Sequence, residues 1–166
     1  MTSDQKLSVE RARQFFEDGV NFYKEPLQRG AAIAAWQSAL SDYETLLKQG
    51  GHQDDNLLEQ VGKTQANLGA VHQSQGQFKE ALIYYHDSLS VYLELIGLGR
   101  PDLREGAAMV RMNIGNSLYY LNGNNNDEAF SWQRAALAEF RILIDEGHPY
   151  LSEKAIMESM TMSNAF

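Results

Sequence analysis

The chain has no cysteine, so neither a disulfide framework nor a thiolate zinc site can be built from it. It has only three prolines, Pro26, Pro101 and Pro149, and helices can therefore run long without interruption. Basic residues are scarce, 14 against 22 acidic ones, for a formal charge of −8. That balance argues against nucleic acid as a partner, because phosphate binding needs a basic surface. It disfavours anionic membrane surfaces for the same reason. No run approaches the roughly 18 apolar residues of a membrane-spanning helix, and the opening MTSDQKLSVERARQFF has no secretory apolar core. Runs of β-branched residues are few, while Ala, Leu, Gln and Glu are plentiful. With 43% hydrophobic and 22% charged residues, the composition is that of a globular, all-helical chain. The expectation is a soluble cytoplasmic protein of one domain.

Three segments echo one another: SALSDYETLLKQGG (38–51), DSLSVYLELIGLGR (87–100) and AALAEFRILIDEGH (135–148). Leu40, Leu89 and Leu137 correspond, as do Tyr43, Tyr92 and Phe140, and Gly50, Gly99 and Gly147 close the units. A fixed period in this range marks stacked supersecondary units. Each echo ends a helical pattern. Ile33, Trp36, Leu40, Tyr43 and Leu47 step by three and four, as do Phe78, Leu82, Tyr85, Leu89, Tyr92 and Ile96, and Phe130, Leu137, Phe140 and Ile144 keep the register. Such steps put one apolar stripe on one helix face. A second helix precedes each: 9–23, 57–74 and 103–121. Turn signals separate the two members of each pair at Pro26–Gly30, Gln75-Gly76-Gln77 and Asn122–Asp127, with Asp127 expected to cap the last long helix.

The expected architecture is three helical hairpins, A–B in each, over about 8–50, 55–99 and 102–147. The tail continues the pattern. GRPDLREGAAMVRMNIGNSL (99–118) aligns with GHPYLSEKAIMESMTMSNAF (147–166), so 149–164 is expected to be the A helix of a fourth unit without its B helix, a seventh helix in all. A lone A helix leaves a face uncovered, so the expectation is that more chain follows in the natural protein or that the end docks on a partner or a second copy, the last giving self-association through this C-terminal helix. Gly19, Gly69 and Gly115 lie mid-helix at one repeat position. Each costs roughly 1 kcal/mol relative to alanine, so their recurrence points to close helix crossing.

The unit 62–95, GKTQANLGAVHQSQGQFKEALIYYHDSLSVYLEL, resembles a tetratricopeptide repeat through Leu68-Gly69, Gly76, Phe78, Ala81, Tyr85 and Ser88. The third unit keeps Ile114-Gly115, Ala129 and Ala136, and the first keeps Gly19, Ala32, Trp36 and Ala39. The family's usual period is about 34 residues. The longer unit here, with linkers such as Gly99-Arg100-Pro101-Asp102-Leu103, is similar to kinesin-light-chain-type repeats. The resemblance implies a right-handed α-solenoid whose concave face, lined by A helices, holds a peptide or a partner helix. The family's groove positions fall on Tyr23 in the first unit. In the second they fall on Lys63, Ala66, Asn67, Ala70, Gln73 and Ser74, and in the third on Met109, Met112, Asn113, Asn116, Tyr119 and Tyr120. Asn67 and Asn113 share one repeat position, and an amide there can both donate to and accept from a peptide backbone. Methionine and tyrosine would add adaptable, amphipathic contacts. The carboxylate clamp of chaperone-binding co-chaperones is not matched, because Ala66 and Ala70 stand at its four-residue spacing.

No catalytic constellation, cofactor site or metal site is expected. His72 is read as a packing residue, His86-Asp87 as a solvated pair, and His52 and His148 as linker residues without ligand spacing. Asn122–Asp127 lacks the alternating acids of a calcium loop. Gly97-Leu98-Gly99 follows no strand and is no phosphate loop. The Met157–Met162 cluster is read as packing. The expected function is a protein–protein interaction scaffold rather than an enzyme. The alternative is a dedicated chaperone that holds a secreted or aggregation-prone client. A scaffold joins two folded partners, whereas a chaperone keeps one client soluble on co-expression.

Overall fold

The computed structural model describes residues 3–50, 54–123 and 126–147. They form six α-helices: α1 (Ser3–Tyr23), α2 (Arg29–Gly50), α3 (Asp55–Ser74), α4 (Phe78–Gly97), α5 (Arg104–Asn122) and α6 (Asp127–Asp145). Short 3-10 turns at Pro26–Gln28 and Pro101–Leu103 lead into α2 and α5, each opened by a proline whose missing N–H costs nothing at a helix start. No strand occurs among the described residues. The expected seventh helix over 149–164, its methionine cluster, His52 and His148 lie outside them.

Each helix packs against the one before it and the one after it in the chain, and α3 also meets α5. This serial stacking of α1–α2, α3–α4 and α5–α6 makes an all-α solenoid. Its helix ends follow from local chemistry. Asp54 accepts from the Asn56 and Leu57 amides at 3.0 and 3.1 Å and caps α3. At the other ends, Gly76 and Gly99 adopt positive φ, so that Gln77 N–H reaches the His72 carbonyl and Arg100 N–H the Leu95 carbonyl. The cap of α6 differs from the expectation. It is Asn126, one residue earlier than Asp127, which accepts from Ala129 N–H at 3.2 Å while its own amide donates to the Leu118 carbonyl. An asparagine has a donor to spare for α5, and an aspartate has none. The first helix also begins earlier than its apolar pattern, at Ser3 rather than at residue 9.

Within each hairpin the crossing point is the same. Gly19 of α1 faces the Trp36 ring of α2, Gly69 of α3 faces the Tyr85 ring of α4, and Gly115 of α5 faces Gln133 of α6. A methyl group on Gly69 would stand 2.6 Å from the Tyr85 ring, and one on Gly115 would stand 2.9 Å from the Ala129 carbonyl oxygen. Each large side chain then bonds back to the partner helix. Trp36 Nε1 donates to the Phe16 carbonyl at 3.1 Å, the Tyr85 hydroxyl to Gln73 Oε1 at 2.6 Å, and Gln133 Nε2 to Asn116 Oδ1 at 2.9 Å. One turn to either side, Ala32, Ala81 and Ala129, and then Ala39, Ser88 and Ala136, are completely buried. Small residues there let the two backbones approach.

Between hairpins the joint is aromatic and ionic. The Tyr92 ring lies against both Gly62 of α3 and Gly106 of α5, at 3.2 Å from where a side chain would begin on each. Around it Leu89, Leu95, Leu103, Ala107, Val110 and Ile114 form the central core cluster. Arg100 spans the joint, donating to Glu59 and Asp102, each at 2.7 Å, and Glu59 also takes Lys63. Within the third hairpin, Arg104 of α5 reaches Glu139 of α6 at 2.6 Å and Glu146 just beyond it at 2.8 Å. Burial pushes the Glu59 carboxyl up, but the Lys63 and Arg100 hydrogen bonds and charges outweigh it and hold the group below its ordinary value.

Three outcomes follow for stability. Overpacking costs about 1–3 kcal/mol and exceeds the roughly 1 kcal/mol gained from a better helix former. Gly69→Ala therefore lowers unfolding free energy by about 1–2 kcal/mol in urea titrations. Gly30→Ala, at an exposed site with nothing within 4 Å, holds or raises stability by up to about 1 kcal/mol. For Glu59, a depressed carboxylate stabilises the fold above its ordinary pKa of 4.5 and loses that contribution as pH falls through its lower folded value. Glu59→Gln is thus less stable than the original chain at pH 7, and the gap narrows below about pH 4.5.

Candidate protein-binding groove

The A helices α1, α3 and α5 contribute side chains to one open cavity of about 680 Å³, in the size range of ligand sites. Tyr23 comes from the end of α1, Ala70, Gln73 and Ser74 from the last turns of α3, and Asn113 and Tyr120 from α5. These are six of the groove positions that the family resemblance implies. The cavity is completed by Arg29, Gly76, Phe78 and Tyr85. Arg29 and Phe78 open the B helices α2 and α4, and no groove pattern on the A helices could have indicated them.

Aromatic packing fixes the two ends. Tyr23 leans on Trp36 with ring centroids 5.7 Å apart. Tyr120 stacks on Phe78 at 5.3 Å and 13°, with Tyr119 edge-on behind it. The floor is polar. Burial pushes the Tyr85 hydroxyl far above its ordinary pKa, with Tyr23 adding to the effect, so it stays neutral and donates to Gln73 Oε1. Among the described residues no aspartate or glutamate lines the cavity, and Arg29 is its one charged side chain. Arg29 Nη1 donates to the Ser74 carbonyl at the end of α3 at 3.1 Å. Arg29 Nε and the Tyr120 hydroxyl oxygen are buried without a hydrogen-bond partner.

The other expected groove residues divide by helix face. Lys63 and Asn67 precede Ala70 and Ser74 at helical spacing on α3, and both are half-buried. The Lys63 amine is paired with Glu59, so it belongs partly to the joint. Met109 is 42% exposed, one turn before Asn113 on α5. Ala66 and Tyr119 pack against the central core. Two expectations are corrected. Met112 is 3% exposed and packs with Ala108, Ala136 and Phe140 between α5 and α6. Asn116 is 7% exposed and its oxygen is taken by Gln133. Both face α6 instead of the groove, because α5 buries one side against α4 and another against α6.

The two described histidines pack against their neighbours. His72 stacks on Tyr84 at 5.4 Å and its Nδ1 lies 2.6 Å from Gln77 Oε1, a packing role in the turn. His86 is exposed and meets the Trp132 edge at 5.6 Å. Among the described residues no cluster of three or more His, Asp or Glu could hold a metal, and no helix is long and apolar enough to cross a membrane.

Stacked hairpins with a cavity on the A-helix side define the class as a helical-repeat protein. Residues 61–102 match the tetratricopeptide repeat family model; they cover most of the second hairpin and the linker to α5. The match supports a tetratricopeptide repeat in the second hairpin, and the hairpins on either side repeat its glycine and small-residue positions. Its long unit is consistent with the kinesin-light-chain type. No curated protein and no solved structure matches the chain. Tetratricopeptide repeats generally mediate protein–protein interaction.

The Tyr85–Gln73 bond can be tested alone. Tyr85→Phe keeps the ring on Gly69 and costs about 1 kcal/mol of stability by urea titration, the worth of one buried hydrogen bond.

Proposed function

We propose that this chain is a protein-interaction module that holds an extended peptide or a partner helix against α1, α3 and α5. The observation that carries the reading is the convergence of Tyr23, Gln73, Asn113 and Tyr120, from three different helices, on one open cavity. Aromatic faces there supply area at low entropic cost. The amides of Gln73 and Asn113 supply donors and acceptors suited to a main chain. Asn67, Lys63 and Met109 extend the same wall toward the starts of α3 and α5. The acidic, cysteine-free composition fits a cytoplasmic scaffold.

Peptides selected from a random dodecapeptide display on the full chain provide the probe. Micromolar binding, near −8 kcal/mol, is the expected strength by calorimetry. Asn113→Ala and Gln73→Ala each weaken it about tenfold, or roughly 1.4 kcal/mol, with far-UV circular dichroism unchanged. Peptides whose binding is unaffected by both substitutions would place the groove elsewhere.

A further inference from the structure

We infer that the cavity beside α2 seats a single acidic side chain of the bound peptide, flanked by neutral or basic residues; this rests on the groove reading above. The guanidinium of Arg29 is anchored at Nη1 by the Ser74 carbonyl. That leaves the Nε–Nη2 edge, the one a carboxylate takes with two parallel hydrogen bonds. Nε on that edge is buried with no acceptor, and so is the Tyr120 hydroxyl in the same cavity. Buried donors without partners are costly, and an incoming carboxylate satisfies both kinds. Both residues line the cavity, and an acceptor reaches their buried atoms only if neighbouring side chains move.

The rest of the lining agrees in sign. Gln73 Oε1, an acceptor that would repel a carboxylate, is already occupied by the Tyr85 hydroxyl. No aspartate or glutamate lines the cavity among the described residues. The chain as a whole carries a net charge of −8, which acts against a run of acids on the peptide. One carboxylate at Arg29, with neutral or basic neighbours, meets both conditions. The cavity draws on all three hairpins, so the peptide continues past Arg29 and the acid is a side chain, not a chain end.

The test uses the display-selected peptides as probes on the full-length chain. The selected sequences should share one Asp or Glu with neutral or basic flanks. Changing that residue to its amide should weaken calorimetric binding at least tenfold for the original chain. Against Arg29→Gln the acid and amide peptides should bind within twofold of each other. Tyr120→Phe, which keeps the stack on Phe78, should show an intermediate ratio. Selected peptides that bind without any acid overturn the inference while leaving the groove reading intact. The same holds if Arg29→Gln still discriminates tenfold, if extra acids strengthen binding, or if C-terminal amidation abolishes it. Failure to select any peptide counts against both readings.

Discussion

A glycine on one helix lying under a large side chain of the next is the contact on which the fold depends. It recurs as Gly19–Trp36, Gly69–Tyr85 and Gly115–Gln133. In each case the missing Cβ makes room, and the large side chain returns a hydrogen bond to the helix it covers. The crossing point of every hairpin is thereby set twice, by shape and by a polar bond. Leucine-rich stripes alone would let two helices slide, because apolar burial is non-directional. The third hairpin shows that the ring itself is dispensable. Gln133 fills the space with a flexible stem and finds Asn116 as its partner, which draws that asparagine inward.

The same device connects fold to site. Tyr85 both covers Gly69 and forms part of the cavity floor through Gln73. Tyr23 touches Trp36, the residue that covers Gly19, and Tyr120 is held by Phe78 at the start of α4. The cavity wall is thus supported by the hairpin crossings and not carried on loops, so its side chains have little freedom to lose. The joint between the second and third hairpins uses other means: the Tyr92 ring of α4 against Gly106 of α5, and the ion pairs of Arg100 in the linker. That division lets each hairpin stay rigid while neighbours are related by a separate contact.

Much of this was legible in the sequence because repetition amplifies weak signals. One mid-helix glycine means little, but three at one repeat position mark a crossing, and the buried alanines and Ser88 at fixed spacing mark its neighbours. The match of residues 61–102 falls on the unit whose own pattern is clearest. The site was legible in part. The family resemblance placed Tyr23, Gln73, Asn113 and Tyr120 on the A-helix wall, and the structure brings them to one cavity. The resemblance misplaced Met112 and Asn116, since an inner helix of a solenoid is buried on two sides and periodicity does not say which side a residue serves. Arg29 and Phe78 were invisible because they start B helices and reach the cavity only through the folding back of each hairpin. The α6 cap fell on Asn126 rather than Asp127 because the cap also had to bond to α5, a tertiary demand no local pattern carries.

A double-mutant cycle on Gly69 and Tyr85 tests the central contact most directly. In the original background Gly69→Ala meets the ring. In a Tyr85→Ala background the ring is gone and the added methyl enters the space it leaves. Urea unfolding should therefore show a coupling of about 1 kcal/mol or more, with Gly69→Ala neutral or stabilising once Tyr85 is removed. If the two effects add within about 0.5 kcal/mol, the glycine is not there for the ring and the account of the hairpin crossing is wrong.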